Sequence, residues 1–468
     1  MTSAASEVAD VADVAILGGG LAGCLTALAY ARHRPEARVV LIEEAAELGG
    51  NHTWCCFTSD LDGRIPGAAD ARRAHPPGTR DEPHGAGAAA LLSGLVAHRW
   101  SAHRVRFPDF ERSLQIPYVC LTAARLREAM DSSFVAPAVR GALVSARVIG
   151  VAPHPGHATI ALADGRRLDA RLVLDARGGR SGGASGDGDA PASGSGYQKF
   201  LGREVTLAGR SAAHTEPTPL VMDATVPQDG DGFRFMYVLP LGDTGRVLFE
   251  DTSFSDGPDL DLHGRRLAID AYLRARGLRI AQVHREESGV LPMPSNNPTP
   301  SPAATPRSGP PRAGLAIGYA GGLFHAGTGY SLPIAAATAV ALATGKAGAD
   351  PEAALRPIRE RMHAQNRYFA LLNRLMFAGV APASRWRIFA RFYGLPAATI
   401  ARFYAARTTL GDRARMLVGR PPPGFRWRSL LPASARHPDT LETGATARSD
   451  PRDLAPPGPG DDILKEAT

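Results

Sequence analysis

Cysteine is scarce: the 468 residues hold four, at positions 24, 55, 56 and 120. Two of these are adjacent and none forms a C-x-x-C pair. A disulfide framework, a zinc site of the usual spacing and thioredoxin-like chemistry are thereby excluded, and no metal is expected. Reduced thiols and a cytoplasmic setting are expected instead. Long apolar runs are missing too. The best candidate, Leu315 to Thr344, is broken by Tyr319, His325, Thr328, Tyr330 and many glycines, whereas a transmembrane helix needs about 20 mostly apolar residues. The start, MTSAASEVADVAD, lacks the basic-then-apolar order of a signal peptide. A net charge of +7 is slight for this length; it suits an acidic surface and does not argue for nucleic acid.

What is present divides the chain unevenly. The length suffices for two or three domains, and no internal repeat is visible. VADVAILGGG, LAGCLTALAYARHR and ARVVLIEE read as strand, helix and strand, a βαβ unit from Val11 to Glu43. RLDARLVLDARGG holds a strand ending in Asp175, and Gly196 to Thr252 reads as a β-meander. DLHGRRLAIDAYLRARG reads as a helix, and Pro351 to Val418 as mostly helical. Ala68 to Ala90 (an insertion of about 68–92), Gly178 to Gly196 and Pro292 to Pro311 are low in complexity and read as exposed loops or disordered insertions. Residues 429–468 read as a disordered tail.

Gly18-Gly19-Gly20-Leu21-Ala22-Gly23 fits G-x-G-x-x-G between a strand and a helix. Such glycines permit a tight turn and close backbone approach to a pyrophosphate at a helix N-terminus. Glu43, at the end of the second strand, stands where an acid holds a ribose hydroxyl. A dinucleotide, FAD or NAD, is expected. The double glycine Gly49-Gly50 after Glu43 resembles flavoproteins of the glutathione-reductase type, as does the late segment AGLAIGYAGGLFHAGTGYSLPIAAATAVALA, with Gly322, Gly329 and Tyr330. That favours FAD. Tyr319 replaces the Asp usual in that closing turn.

GGNHTW, YQKFLGREV, MDATV, FRFMYVLPL, FEDT, GLFHAGTGYSLP and RFYGLP…IARFY, in this order, resemble bacterial lycopene β-cyclases. Those proteins also lack the closing-turn Asp. The resemblance runs from Val14 to about Pro423. It implies an α/β fold: a glutathione-reductase-type FAD-binding Rossmann-like domain (11–195, closed by 312–345), a β-sheet substrate domain (196–295) and a helical C-terminal part (351–428). It also implies a reaction. The ψ-ends of lycopene are protonated, a carbocation closes each ring, and proton loss gives γ-carotene, then β-carotene. Reduced FAD takes part without net redox, and NAD(P)H supplies the reductant.

The same resemblance gives meaning to Glu250 and Asp251 in GRVLFEDTSF, which match the two glutamates of the plant motif FLEET. An alkene is a weak base, so its protonation needs a carboxylic acid kept neutral by an apolar pocket and a neighbouring carboxylate. Side chains alternate along a strand, so both acids can serve one site only across a bulge. Glu250 is expected as acid/base, Asp251 in support, and His325 as a lesser candidate for proton transfer. His52 and Trp54 would shape the flavin side, while Phe235, Tyr237 and Tyr330 could face a cation. Solvated carboxylates and ordinary packing are the competing readings.

From Arg385 to Arg428 there are ten arginines against one acid, Asp412, interleaved with aromatics. That pattern suits a peripheral place on an anionic membrane surface, or simply a solvated helical face. No nucleic-acid motif accompanies it. Two other functions stay open: a redox flavoenzyme acting on a carotenoid, and a carotenoid-binding flavoprotein without catalysis. Oligomeric state is not legible.

Overall fold

A computed structural model describes residues 11–61, 84–178, 195–208, 217–228, 230, 232–242, 245–300, 314–345, 350–418 and 422–426. The expected insertion around 68–83, most of 178–196, residues 301–311 and the tail lie outside them.

The N-terminal part contains β1 (Ala12–Leu17), α1 (Leu21–His33), β2 (Val39–Glu43), β3 (Thr53–Phe57), α2 (His84–Ser93), β4 (His98–Trp100), β5 (His103–Phe107) and β6 (Phe110–Leu114). It continues with β7 (Tyr118–Thr122), α3 (Ala123–Ala129), β8 (Gly141–Ser145), β9 (Val148–His154), β10 (His157–Leu162) and β11 (Arg167–Asp175). A strand-rich stretch follows, of β12 (Gly196–Leu207), β13 (Leu220–Asp223), β14 (Gly232–Pro240), β15 (Arg246–Ser255), α4 (Leu262–Ala275) and β16 (Ile280–Met293). Last come β17 (Leu315–Ala316), α5 (Leu332–Thr344), α6 (Pro351–Gly379), α7 (Trp386–Tyr393), α8 (Ala397–Tyr404) and α9 (Leu410–Leu417).

The first sheet has the order β8-β2-β1-β11-β10-β9, with β17 added to the end of β11. Strands β8, β2, β1, β11 and β17 are parallel, and the β9–β10 hairpin runs antiparallel. Parallel strands are covered on both faces, which accounts for the unbroken apolar runs of β1 and β2. One face packs on α1 and α5, whose Leu25, Ala29, Ala336 and Val340 are buried together.

The segment at 84–92 is a correction. It was expected to loop out, yet it forms α2, and Ala88, Ala89, Leu91 and Leu92 join the core beside α5. Its low complexity reflects small side chains at a close helix contact: a Cβ on Gly87 would stand 2.8 Å from Val340 Cγ1. Residues 292–300 are a second correction. Pro292 and Met293 complete β16, and Ser295 and Thr299 are buried. Thr299 Oγ1 donates to the Gly322 carbonyl at 2.9 Å and accepts from Asn366 Nδ2 at 2.9 Å.

The second sheet has the order β16-β12-β15-β14-β13-β5-β6. The expected meander supplies β12 to β15. Strands β5 and β6 come from ahead of residue 195, and β5 joins β13 in parallel. Alternation gives this sheet two different faces. Leu201, Val205, Met236, Val247 and Phe249 point to α4 and pack on Ile269, Tyr272 and Leu273. Phe233, Phe235, Tyr237, Leu248 and Phe254 point the other way, into an aromatic cluster with residues of α6, α7 and α8. Helix α6 through α9 bear out the helical reading of 351–418. Among the described residues, no helix is long and apolar enough to cross a membrane.

Candidate active site

One cavity of about 1270 Å³ joins the glycine turn to the aromatic face of the second sheet. A pocket for a single small ligand holds roughly 300–1,000 Å³, so this one has room for two molecules side by side.

At one end lies the turn between β1 and α1. Gly18 has φ +101°, a conformation reserved for glycine. A Cβ on Gly23 would fall 1.9 Å from the Gly18 carbonyl oxygen, so only glycine lets helix and turn approach so closely. Gly20 has no protein atom within 4 Å of the same position and lines the cavity with Gly19, Leu21 and Ala22. Glu43 lines it as well, and its Oε2 accepts from the Gly19 amide at 2.5 Å. Gly49 and Gly50, with φ +71° and +62°, continue the wall. Arg127 Nη1 holds this turn by donating to the carbonyls of Leu48 and Gly50, at 3.1 and 2.8 Å. A cradle of bare backbone, an acid at the second strand end and a helix N-terminus together fit a dinucleotide.

The middle wall comes from the closing segment. Gly318, Tyr319, Thr328, Gly329 and Tyr330 line the cavity, and the Tyr319 hydroxyl donates to the Gly329 carbonyl. His52 and Trp54 face it from the opposite side, their rings 6.0 Å apart. Gly322 does not line it; its bare Cα instead lets the Pro298 carbonyl approach, 2.1 Å from where a Cβ would be. His325 is also elsewhere. Its Nε2 donates to the Phe403 carbonyl at 2.8 Å, its Nδ1 accepts from the Gly327 amide at 3.2 Å, and its ring stacks on Phe369. Burial lowers its pKa to about 4, leaving a neutral ring with both nitrogens engaged. That arrangement fixes the loop and offers no proton to the cavity.

Glu250 lines the same cavity, together with Leu248, Phe254, Phe235, Tyr237 and Tyr118. The hydroxyls of Tyr118 and Tyr237 are 2.5 Å apart. Thr252, two residues along the same face, donates Oγ1 to Glu250 Oε1 at 2.5 Å. Desolvation raises the Glu250 pKa to about 8, helped by the negative charge of Glu287 and opposed by the Thr252 hydrogen bond. A carboxyl so placed carries its proton at neutral pH, as a proton donor toward an alkene must.

Asp251 takes the other direction. The register of β15 with β12 and β14 runs unbroken through residues 246–255, so no bulge intervenes. Its carboxylate lies beneath α4, 2.6 Å from Arg234 Nε and 3.1 Å from Arg265 Nη1, with 2% of the side chain exposed. Asp251→Asn is expected to destabilise the protein by about 3–5 kcal/mol, the usual cost of removing one partner from a buried pair. A fall in the thermal midpoint, with activity per folded molecule kept, would establish that structural role; loss of activity at unchanged stability would refute it.

Tyr118 and Glu287 are among the lining residues that escaped the sequence reading. Tyr118 sits on a short strand with no motif of its own. Glu287 lies in the polar run HREE of β16, which reads as an exposed edge until the strand pairing is known.

The arginine-rich segment is less exposed than its composition implies. Arg385 is fully buried and donates to Asp256 at 2.5 Å, while Arg402 pairs with Asp412 at 2.6 Å. Arg387 and Arg391 line the cavity alongside Leu371, Leu417 and Pro422. Leu371 and Leu417 are 41% and 45% exposed, and Val418 is 72% exposed. This part of the cavity wall is therefore mixed, apolar and cationic, and partly exposed.

The fold is shared with structures of low sequence similarity. A geranylgeranyl bacteriochlorophyll reductase-like protein from Thermoplasma acidophilum superimposes with a TM-score of 0.54 at 14% identity, over 87% of this chain and 98% of that one. A flavin-dependent brominase gives 0.52 at 13% identity, over 85% and 94%. Sequence similarity is closer elsewhere. The lycopene beta-cyclase of Pseudescherichia vulneris is 36% identical over 423 residues, 90% of this chain and 97% of its own. That of Pantoea ananas is 35% identical over 414 residues, 88% and 95%. The family described as lycopene cyclase protein matches residues 13–428. The chain belongs to the lycopene cyclase family.

Proposed function

We propose that this lycopene β-cyclase closes the ψ-ends of lycopene with Glu250 as the acid/base, beside FAD bound along the glycine turn. Family membership supplies the reaction. The observation that supports the site is a proton-bearing carboxyl among the apolar and aromatic lining of the same cavity into which the glycine turn opens.

The Glu250 O–H breaks as a C–H bond forms at the terminal double bond, leaving a tertiary cation. The next double bond attacks it, a C–C bond closes the ring, and a ring C–H gives its proton back to a carboxylate. One end yields γ-carotene and two yield β-carotene, with formula unchanged. Phe235, Tyr237, Phe254 and Tyr330 surround the path with π faces that favour a cation and exclude water that would trap it as an alcohol. Gly19 to Ala22, Glu43, Gly49 and Gly50 would hold the FAD, and Tyr330 and Gly329 would approach its ring. Bound and reduced, with NAD(P)H as the source of electrons, it supplies negative charge next to the cation.

Bacteria that accumulate lycopene provide the test. Expression of this chain is expected to yield β-carotene; oxygenated or further desaturated products would move the protein to redox chemistry. The pH profile is a second check. Because the Glu250 pKa is raised, the acid form persists below about 8 and is lost above it. The cyclisation rate is expected to fall as pH rises through about 8; a rate still climbing there would rule out a protonated Glu250 as donor.

The substrate is a membrane hydrocarbon, and we assign the partly exposed region at Leu371, Arg387, Arg391, Leu417 and Val418 to the surface of an anionic bilayer. Apolar side chains would enter the interface while each arginine near it gains about 1 kcal/mol. Leu417→Asp with Val418→Asp is expected to release the protein from anionic liposomes in co-sedimentation; unchanged binding would place the contact elsewhere.

A further inference from the structure

We propose that Glu287 is a second working carboxylate of this site, coupled to Glu250 across the bare backbone of Gly202. The proposal rests on the cyclase reading above. Gly202, on the strand between them, is the register partner of Glu250 in β15 and of Glu287 in β16. Directly paired residues of antiparallel strands project their side chains to one face, so both carboxyls stand over the same gap. A Cβ at position 202 would lie 3.1 Å from Glu287 Cγ and 3.3 Å from its Oε1. With no side chain there, Glu287 extends over the middle strand, sharing the space with Leu248 Cδ1, also 3.1 Å from that Cβ position, and Glu250 and Glu287 both line the cavity.

The environment gives the pair unequal roles. Glu287 has 2% of its side chain exposed and accepts from Arg285 Nη1 at 2.8 Å. Arg285 is anchored in turn by Glu204 at 2.6 Å and by Thr53 Oγ1 at 2.5 Å. Glu287 is thereby tied to a guanidinium, whereas the hydrogen bond that Glu250 accepts comes from the Thr252 hydroxyl. Two buried like charges side by side resist ionising together, so the charge on Glu287 holds the proton on Glu250 until the alkene takes it. The cation then faces two carboxylates, and the ring proton returns to the pair. No oxidant, reductant or extra reactant enters the step. Of the other titratable or charged groups, Asp251 and Arg265 from the far face of the sheet and Tyr330 of the closing segment act on Glu250 electrostatically, Tyr237 is its register partner on β14, and Arg285 lies beside Glu287. All are retained in the variants below.

The test reads the proton itself. In the purified, flavin-loaded protein, the infrared carbonyl band of a protonated carboxyl is titrated with pH and assigned to Glu250 by its loss in Glu250→Gln. Glu287→Gln is expected to lower the midpoint of that band by at least about one pH unit, and the alkaline limb of the cyclisation rate moves with it. Glu287→Asp keeps the charge and is expected to keep the midpoint within about half a unit. Gly202→Ala, which removes no ionisable group, is expected to push Glu287 away and lower the midpoint as well. An unchanged or higher midpoint in both Glu287→Gln and Gly202→Ala overturns the coupling, as does a fall in Glu287→Asp equal to that in Glu287→Gln. A wild type that makes no cyclic product sinks the functional reading instead, which separates the two failures.

Discussion

Glu250→Gln is expected to reduce cyclisation at least 100-fold while leaving the protein folded and loaded with flavin. A positioned acid/base group contributes roughly 10²–10⁴-fold, and an alkene gives water little chance to substitute as donor. Glutamine keeps the shape and can still accept from Thr252, whose hydroxyl is 2.5 Å away, so the cavity wall stays intact. It cannot deliver a proton. The substitution also removes a group that remains uncharged below a pH of about 8, so it introduces no unpaired buried charge at neutral pH. Carotenoid analysis of lycopene-accumulating cells, with flavin absorbance and thermal midpoint of the purified variant, checks the expectation. Cyclic product at near wild-type yield would show that another group is the acid.

A comparable loss is expected from Gly23→Ala, by a different route. Its methyl group would collide with backbone, 1.9 Å from the Gly18 carbonyl oxygen, where no side chain can swing aside. The helix must move off the turn, at about 1–3 kcal/mol or more for forced overpacking, and the amides that would face a pyrophosphate move with it. Little or no flavin should co-purify. Gly20→Ala is the informative contrast, because no protein atom lies within 4 Å of the added methyl. That variant should keep the thermal midpoint of the flavin-free protein and still bind flavin at least tenfold more weakly. Full flavin occupancy in both variants would mean that the nucleotide lies elsewhere.

Local features carried most of what the sequence disclosed. The βαβ unit was legible because strand, turn, helix and acid follow one another within Val11–Glu43, and each signal is a short-range one. The divergence of Glu250 and Asp251 was legible for the same reason: alternation alone sends neighbours to opposite faces. What stayed hidden depends on pairing between distant segments. Glu287 became part of the site only when β16 was laid against β12, and Gly202, an ordinary strand glycine in the sequence, proved to be the gap between two acids. Composition misled at several points, two of them instructive. Small residues at 84–92 looked like a linker and are a tightly packed helix. Arg385 counted as surface charge and lies fully buried against Asp256. In both cases a side chain's partner, absent from the local sequence, decided the outcome.

The unbroken pairing of β15 sets a limit on how this protein can vary in length. Deleting one residue between Val247 and Phe249, with the strand kept in its place, would turn every later side chain to the opposite face. The carboxyl of residue 251 would then take the position of Glu250, opposite Gly202, and that of residue 250 would take the position of Phe249, opposite Arg203 and against Tyr272. The donor across Gly202 from Glu287 would then be one methylene shorter, and the displaced glutamate would be buried beneath α4. A length change there would put a shorter acid at the working position and a carboxyl into the apolar layer around Ile269, Tyr272 and Leu273. In the β9–β10 hairpin, on the outer edge of the first sheet, the same deletion would merely shorten a turn.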